Sequence, residues 1–392
     1  MLIPATFLFA LVLAATNPGL PNTAFEHDQA VLASYRAELA QLRSSGRPSF
    51  QMPRPEYFLF GMGSRPKFIY RNGELVEWPS LRVSHRWRVE KQVIVPPSYS
   101  VWITTADGTV HIFEDESGIS IEEGNKKTTL AQSRIKLPSF SGEHFPNVLR
   151  VLHQEILVGT VEGKPVPNFL VYSKPWYRDG AMAAMVLRRT GNVGLLRDWI
   201  LSLRDPFDHN NAGRSEGDNL GEVLYLISCV SDKNHPLVPA VLKAVDAFKK
   251  QDYIVGSTDG AEHPVYQTKW LKFGMQSLGI PDSAFVVPKM QDSYASLFWW
   301  ALKDGQIGPE FPKDAALKYP YLAWARDHLS GERTGPVTAG EYPLSWEADA
   351  SEADYRGISI IGDDFVKTRL AAPHSWHAAE MFLALSNEET AP

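Results

Sequence analysis

The sequence contains a single cysteine, Cys229, among its 392 residues. One cysteine excludes an intrachain disulfide and every metal site built from several thiolates. A phosphate-binding glycine-rich loop, a dinucleotide fingerprint and the Gly-x-Ser-x-Gly turn of serine hydrolases are also missing. The sequence therefore does not indicate a nucleotide-dependent enzyme, and we expect no cofactor.

Runs of basic residues are missing as well. Lysine and arginine number 39 against 45 aspartates and glutamates, for a formal net charge of -6. A nucleic-acid partner would require a basic face that neutralises phosphates. We therefore expect none.

Long hydrophobic runs are limited to residues 2–15, which are too few to span a bilayer comfortably. The small residues Ala14, Ala15 and Thr16 follow as a cleavage region, so residues 1–20 are predicted to be a signal peptide. The alternative is an apolar strap folded onto the protein. The first interpretation implies a secreted or periplasmic protein without membrane contact after cleavage, and the second a cytoplasmic one.

Apolar helices that begin with acidic, histidine or aromatic residues recur through the rest of the chain. Helix periodicity and start signals predict six of them. Their starts are Trp176-Tyr177-Arg178-Asp179, Asp218-Asn219-Leu220-Gly221-Glu222, Glu262-His263-Pro264, Asp292-Ser293-Tyr294, Tyr342–Glu347 and Pro373–His377. More amphipathic helices are expected between several of these, at about 193–204, 237–250 and 313–329.

The stretch Trp176-Tyr177-Arg178-Asp179, followed by an Ala/Met-rich helix, resembles the Trp-x-Arg-Asp segment of glucoamylase-like enzymes. Pro373-His374-Ser375-Trp376-His377 and the helix after it resemble the last inner helix of such proteins. The resemblance covers roughly residues 144–388. It implies the six-hairpin glycosidase superfamily and a mainly α fold, the (α/α)6 toroid of helical hairpins.

A smaller antiparallel β region is predicted before the toroid, at about 65–125. Alternating apolar segments there are separated by Asn72-Gly73 and Asp107-Gly108, which are strong hairpin signals. A helix at Glu26–Leu42 precedes this region. The predicted organisation is therefore a signal peptide at 1–20, a helix and β region at 21–140, and a catalytic barrel at 141–392.

Glycosidic bond cleavage needs one carboxylic acid to protonate the leaving oxygen and one carboxylate to activate water or attack the sugar. Glu262 is the predicted acid, because it lies at an inner-helix start among aromatic residues, and Glu347 is the predicted base. Asp349 or Asp364 could replace Glu347. The two carboxyl groups are expected to face one cavity, and the resemblance implies inversion.

Asp179 is a third catalytic candidate, although its place beside Arg178 favours a role in holding sugar hydroxyls. The other predicted substrate-binding residues are polar or aromatic and lie at or near helix starts. They are Trp176, Arg178, Asp218, Asn219, Glu222, His263, Tyr266, Trp270, Asp292, Trp346, His374 and His377. The i,i+3 spacing of His374 and His377 could suit a metal, but no matching ligand pair is evident and no metal is expected.

The leading prediction is a glycoside hydrolase acting on a poly- or oligosaccharide. One alternative is a lyase that eliminates a uronic-acid polymer, with His263, Tyr266 or His374 moving protons. The other is a glycan-binding protein without catalysis. The sequence does not indicate the sugar, the linkage or the oligomeric state.

Overall fold

The computed structural model describes residues 23–43, 47–50, 57–172, 174–210, 212–290, 292, 336–338, 345–347 and 372–386. The predicted signal peptide, the helix expected after Asp292 and the helix expected at 313–329 lie outside these residues. Secretion and the domain division at residue 140 therefore stay predictions.

Eight α-helices lie in the described part of the chain. They are α1 (Thr23–Arg43), α2 (Pro146–Val158), α3 (Tyr177–Arg189), α4 (Arg197–Ser202), α5 (Asn219–Ser228), α6 (Val238–Val245), α7 (Pro264–Ser277) and α8 (Ser375–Leu385). Trp176, Asp218, His263 and His374 are the N-cap residues of α3, α5, α7 and α8, so these four predicted starts are confirmed. None of the eight helices is both long enough and apolar enough to cross a bilayer.

Two antiparallel sheets occupy residues 57–132, each with its strands in sequence order. The first contains β2 (Tyr57–Phe60), β3 (Lys67–Arg71), β4 (Glu74–Trp78) and β5 (Arg82–Arg86). The second contains β6 (Lys91–Val95), β7 (Ser100–Thr105), β8 (Gly108–Glu114), β9 (Gly118–Glu123) and β10 (Lys126–Gln132). A parallel pair, β1 (Arg47–Phe50) with β17 (Pro336–Thr338), lies outside both sheets.

The two sheets bury one face of each in a common core. Phe60, Tyr70 and Leu75 of the first sheet and Ile112 and Ile119 of the second are fully buried in it. Alternation along each strand sends every second side chain to this face. Burial of each large apolar side chain contributes about 1.5–3 kcal/mol, so this core is the main stabilising element of the two packed sheets, which together form a β-sandwich.

The predicted hairpins are confirmed. Asn72 and Gly73 join β3 to β4 with φ angles of 46° and 80°, as a two-residue type I′ turn requires. Thr105 pairs with Gly108 in the turn between β7 and β8. Asparagine and glycine adopt positive φ at low cost, which is why a local signal located these turns.

Helix α1 covers the other face of the five-stranded sheet. Its Asp28 carboxylate accepts hydrogen bonds from Ser100 Oγ and Trp102 Nε1, both at 2.7 Å. Tyr35 and Leu39 of the same helix are buried in a core that continues into the helical part of the chain. The outer faces of the sheets and the helices therefore share a second apolar core, distinct from the one between the sheets.

A buried lysine links the sandwich to the helices. Lys67 Nζ donates to the carbonyl oxygens of Thr160 at 2.6 Å and Gly63 at 2.8 Å, and also to that of Gly61. Burial lowers the pKa of Lys67 to about 7, against the opposing charge of Glu114. The Gly63 amide donates to the Leu157 carbonyl of α2 at 2.8 Å. A backbone hydrogen bond therefore joins the strands to the helices beside the hydrogen bonds of the Lys67 side chain.

Five helices form a row in which each packs on the next. Helix α2 packs on α8, α8 on α3, α3 on α5 and α5 on α7. Side chains from the first turns of α3 and α5 meet, and so do those from the starts of α3 and α8. The N-terminal ends of α3, α5 and α8 therefore lie close together.

Four two-stranded hairpins lie in the connections of this helical part. They are β11 (Thr160–Val161) with β12 (Lys164–Pro165), β13 (Lys249–Lys250) with β14 (Tyr253–Ile254), β15 (Ser257–Thr258) with β16 (Ala261–Glu262), and β18 (Trp346–Glu347) with β19 (Ala372–Pro373). Strands β16 and β19 end one residue before the N-caps of α7 and α8. The hairpins therefore fix where those helices begin.

The prediction of a mainly α toroid with a minor β region is wrong. Sheets of four and five strands share a core of their own and carry α1 on the outer face, so the described fold is a β-sandwich combined with helices. The predicted helix start at Tyr342–Glu347 is also wrong at its last two residues. Trp346 and Glu347 pair with Pro373 and Ala372 as strands, because the chain there lies directly beside the segment that leads into α8.

Helices α5 and α7 cross at two glycines, and this contact provides a test of the packing. A Cβ on Gly221 would lie 2.1 Å from the carbonyl carbon of Trp270, and one on Gly274 would lie 2.3 Å from the oxygen of Gly221. We expect Gly221→Ala to lower the free energy of unfolding by about 3 kcal/mol or more, because backbone cannot yield as a side chain can. Denaturant unfolding measures the change.

Gly194→Ala is the matched control, because a Cβ on Gly194 would have no neighbour within 4 Å. We expect it to change the free energy of unfolding by less than about 0.5 kcal/mol. Equal stability of the two variants would contradict the described contact between α5 and α7.

Candidate active site

Arg178 lies at the centre of a buried polar cluster at the helix starts. Its Nη1 is 3.4 Å from Asp218 Oδ2 and 3.0 Å from Asp259 Oδ2, and its Nη2 donates to Asp259 Oδ1 at 3.1 Å. The guanidinium carbon is 5.1 Å from the ring centre of Trp376 and 5.9 Å from that of Trp176. Burial alone lowers the pKa of Arg178, but Asp259 and Asp218 raise it well above its ordinary value. The guanidinium therefore stays charged.

The loop before α5 holds the start of α3. Asp208 Oδ2 accepts the Tyr177 amide at 2.7 Å, and Asp208 Oδ1 accepts the Asn210 amide at 2.9 Å. Asn210 Nδ2 in turn donates to the Pro175 carbonyl at 2.6 Å. Trp176 is in an extended conformation and lacks a side-chain oxygen, so Asp208 supplies the capping acceptor from elsewhere in the sequence.

Asp218 is positioned by the hairpin of β15 and β16. Its Oδ1 accepts from Thr258 Oγ1 at 2.7 Å, and Gln267 Nε2 donates to the same hydroxyl at 2.8 Å. The hairpin turns at Asp259 and Gly260, both with positive φ. This turn directs the Asp259 carboxylate at Arg178, while the Asp259 amide donates to Glu216 Oε1 at 2.7 Å. Burial, followed by the neighbouring Asp218, raises the pKa of Glu216 to about 7.

Asp179 follows Arg178 in the first turn of α3 and is 1% exposed. Its Oδ1 lies 3.5 Å from His374 Nδ1, too far or too poorly aligned for a hydrogen bond. Burial raises the pKa of Asp179 to about 7, although the charge of Arg178 lowers it. Burial and Arg178 together lower the pKa of His374 to about 3, so its imidazole is neutral at physiological pH.

Glu222 is one turn along α5 from Asp218 and is completely buried. Asn219 Nδ2 donates to its Oε2 at 3.1 Å. Burial, and next the charge of Asp218, raise the pKa of Glu222 well above its ordinary value. Tyr266 of α7 lies close enough for the charges of Glu222 and Arg178 to affect its pKa, which burial raises. The surroundings of Glu222 therefore favour its protonated form.

Helix α8 adds a second buried acid. Trp376 Nε1 donates to Glu380 Oε1 at 3.1 Å, one helical turn away. Burial raises the pKa of Glu380 well above its ordinary value, with Arg178 acting in the opposite direction. The rings of His374 and His377 stack at 4.4 Å, and His377 forms a hydrogen bond with the backbone of Ser345.

The structure thus brings together nine of the predicted site residues around or beside Arg178. They are Trp176, Arg178, Asp179, Asp218, Asn219, Glu222, Tyr266, His374 and His377. It also adds Asp208, Glu216, Thr258, Asp259 and Glu380, which were not predicted. Glu380 carried a usable signal, since it is a lone charge in the apolar run 378–385.

The predicted acid, Glu262, does not belong to the cluster. It lies in β16 and is exposed to solvent, so the prediction that aromatic side chains surround it is wrong. The turn at Asp259 and Gly260 sends Asp259, rather than Glu262, toward Arg178. For the predicted base, Glu347, the structure describes the backbone in β18, and its side chain lies outside the described part, as do Asp349 and Asp364.

Three further predicted binding residues have structural partners instead. Asp292 accepts the Val265 and Tyr266 amides at 2.9 and 3.0 Å and contacts His263 Nδ1 at 2.9 Å, so it caps α7. Trp270 is fully buried where α5 meets α7. Trp346 Nε1 donates to Glu155 of α2 at 2.6 Å. Helix capping and core packing account for these contacts.

Comparisons of the chain with protein-family models, curated proteins and solved structures found no match. The predicted membership of the six-hairpin glycosidases is therefore corrected, because no match supports it and the N-terminal region is rich in strands. The short motif at Trp176–Asp179 marks a helix start, and that local pattern does not define a family. In the described part of the chain, no three His, Cys, Asp or Glu side chains are arranged to hold a metal ion.

The raised pKa of Asp179 leads to a prediction about how the stability of the protein depends on pH. Its pKa of about 7 in the folded protein is above the ordinary value of 3.8, so the folded state binds the proton more tightly. The stabilisation is complete below pH 4 and is lost as the pH rises to about 7. Asp179→Asn should remove this loss, so the variant gains stability relative to wild type between pH 4 and 7.

The gain should approach about 1.4 kcal/mol per pH unit at most, and denaturant unfolding at a series of pH values measures it. The exposed Asp198 provides the control, because Asp198→Asn should leave the pH dependence as in wild type. Parallel curves for wild type and Asp179→Asn would contradict the buried, protonated state of Asp179.

Proposed function

We propose that this protein is a glycoside hydrolase whose acid and base are Glu222 and Asp179. The observation that carries the proposal is the contrast between these two buried carboxyl groups beside one guanidinium. Burial and the charge of Asp218 raise the pKa of Glu222 well above its ordinary value, whereas the pKa of Asp179 is raised to about 7. Separation of two carboxyl pKa values by their environments is how acid and base roles are divided at a glycosidic bond.

In the proposed reaction, Glu222 donates its proton to the glycosidic oxygen as the bond from that oxygen to the anomeric carbon breaks. Ionised Asp179 then either takes a proton from the attacking water or attacks the anomeric carbon itself. The configuration of the first product separates these routes, since water attack inverts it and a covalent intermediate retains it. A base with a pKa near the working pH is also the most effective one.

The surroundings of the pair suit a carbohydrate. Trp176 and Trp376 lie on the guanidinium of Arg178, and Tyr172 contacts both Trp176 and His374 edge-on. Aromatic faces stack on the C–H surfaces of sugar rings, and charged hydrogen-bonding groups fix their hydroxyls. The cluster supplies both kinds of contact at the ends of four helices.

Hydrolysis is favoured over elimination of a uronic-acid polymer by the sign of the charges. Asp179, Asp218, Glu222, Asp259 and Glu380 all lie within electrostatic reach of the single guanidinium of Arg178. Asp218 and Asp259 already pair with this guanidinium, so it is not available to bind the carboxylates of a polymer that carries one on each sugar. Elimination also needs a basic side chain, and the low pKa of His374 makes its imidazole a weak base.

Carboxamide variants test the proposal. Purified protein is screened against neutral, amino and acidic oligosaccharides, and release of reducing ends is measured. We expect Glu222→Gln and Asp179→Asn each to lower kcat by about 10²–10⁴-fold, because each removes one proton transfer. Glu262→Gln is the matched control, since Glu262 is exposed, and it should retain wild-type kcat and KM.

Failure of the wild-type protein to cleave any glycan in the panel would overturn the proposed activity. Wild-type turnover by Glu222→Gln or Asp179→Asn would overturn the proposed roles of these residues. A loss of activity in Glu262→Gln would return the acid to the position predicted from the sequence.

A further inference from the structure

His374 and Asp179 each have a buried polar atom that lacks a hydrogen-bond partner in the described part of the chain. These atoms are His374 Nδ1 and Asp179 Oδ1, and they lie 3.5 Å apart. Buried polar atoms are nearly always hydrogen-bonded, because a partner that is missing cannot be replaced by water. Each of the two atoms is therefore in reach of the partner that the other lacks.

The surrounding elements hold the two side chains next to each other. Asp179 lies in the first turn of α3, and His374 is the N-cap residue of α8, which packs on α3. The His374 ring stacks on the His377 ring at 4.4 Å and meets the Tyr172 ring edge-on at 5.8 Å. These ring contacts restrict how the imidazole can turn. Catalytic hydrogen bonds are often long until substrate is bound, so a distance of 3.5 Å suits a contact that tightens during the reaction.

The protonation states of the two groups decide which atom donates. Burial and Arg178 lower the pKa of His374 to about 3, so one ring nitrogen carries a proton at neutral pH and the other does not. An ionised carboxylate only accepts hydrogen bonds, and it therefore needs the proton on Nδ1. A protonated carboxyl group donates, and it needs Nδ1 without a proton. A change of tautomer lets the neutral imidazole bond to Asp179 in both states.

We propose that His374 is a positioning residue for Asp179, whose Oδ1 accepts a hydrogen bond from His374 Nδ1–H when the carboxylate is ionised. This inference rests on the proposed function for the catalytic role of Asp179. A carboxylate held through Oδ1 keeps Oδ2 in a fixed direction for its work on the water or the anomeric carbon. A neutral donor also favours the ionised form of Asp179 without placing a second cation beside it.

Other charged or titratable groups lie on the elements that pack around the pair. They are Arg178 of α3, Asp208 of the loop before α5, Asp218 and Glu222 of α5, Asp259 of the β15–β16 hairpin, His153 and Glu155 of α2, and His377 and Glu380 of α8. Arg178 lowers the pKa of Asp179, whereas Asp208 and Asp259 raise it. Among the described residues, none of these groups donates a hydrogen bond to Asp179 Oδ1. Their charges therefore do not replace the donor that His374 provides.

The tautomer of His374 tests the pairing without any substrate. Imidazole nitrogens with and without a proton have well separated ¹⁵N chemical shifts, and spectra of the full chain are recorded between about pH 5 and pH 9. The His374 signals are identified by their loss in His374→Asn. We expect the proton to move from Nε2 to Nδ1 as Asp179 ionises, and the ring to keep one tautomer throughout in Asp179→Asn.

Glu216→Gln is the matched control for the tautomer measurement. Burial raises the pKa of Glu216 to about 7, so this acid titrates in the same range. Its substitution should leave the change of tautomer in place. A single His374 tautomer over the whole range in wild type, or a change of tautomer that persists in Asp179→Asn, would overturn the inference.

Two substitutions of His374 separate hydrogen bonding from packing. His374→Asn keeps an N–H donor and removes the ring, whereas His374→Phe removes both nitrogens and keeps a ring that can contact His377 and Tyr172. We expect His374→Phe to raise the pKa of Asp179 by about one unit or more, because the ionised form loses its donor, and His374→Asn to raise it less. The ¹³C chemical shift of the Asp179 carboxyl group, assigned through Asp179→Asn, measures this pKa.

Equal Asp179 pKa values in wild type and His374→Phe, or a larger rise in His374→Asn than in His374→Phe, would contradict the proposed hydrogen bond. Circular dichroism checks that each variant is folded. Should His374→Phe fail to fold, the tautomer measurement on the wild-type protein decides the question.

Kinetics separates this inference from the proposed function. With a glycan that the wild-type protein cleaves, His374→Phe should lower kcat about tenfold or more, because the base is no longer held in place, and His374→Asn should recover part of the loss. The lower limb of the pH profile of kcat/KM should move upward with the pKa of Asp179. Unchanged kcat and pH profile in His374→Phe would overturn the inference and keep the hydrolase. A change of tautomer coupled to Asp179 in a protein that cleaves no glycan would support the hydrogen bond and overturn the hydrolase.

Discussion

A buried guanidinium requires anionic partners, and that requirement organises the starts of the helices. Arg178 extends from α3 over the rings of Trp176 and Trp376 and reaches Asp218 of α5 and Asp259 of the β15–β16 hairpin. A buried ion pair contributes little net stability, but removal of one partner leaves an uncompensated charge and is costly. The ion pairs therefore fix the relative position of a helix, its neighbour and a hairpin more than they stabilise the fold.

Two effects oppose each other at the acids of this cluster. Asp179 and Glu222 lie in the first turns of α3 and α5, where the helix macrodipole favours the ionised form by about 0.3–1 kcal/mol, or about 2 kcal/mol at most. Full burial can shift a carboxyl pKa by about 3–5 units in the other direction. Burial outweighs the macrodipole at both residues, so the pKa of each carboxyl group is raised although its position at a helix start alone would lower it.

Local signals in the sequence predicted helix starts and hairpin turns well, because capping and positive φ depend on a few adjacent residues. Most residues of the cluster lie at or beside the starts at Trp176, Asp218 and His374, so the prediction of these starts also identified those residues. Features that depend on contacts between residues distant in the sequence were not predicted. Whether Asp259 or Glu262 faces Arg178 depends on the turn of a hairpin that was not predicted. The size of the sandwich was underestimated because the core that it shares with α1 pairs segments that are distant in the sequence.

The ammonium group of Lys67 sits at the seam between the sandwich and the helices, where it binds carbonyl oxygens on both sides. Separation of the two halves would break those hydrogen bonds and expose an apolar surface that belongs to one interior. Such a seam joins the halves into a single cooperative unit. Neither half is then an independent folding unit. A truncation at this seam would remove interactions that the remaining half needs in order to fold.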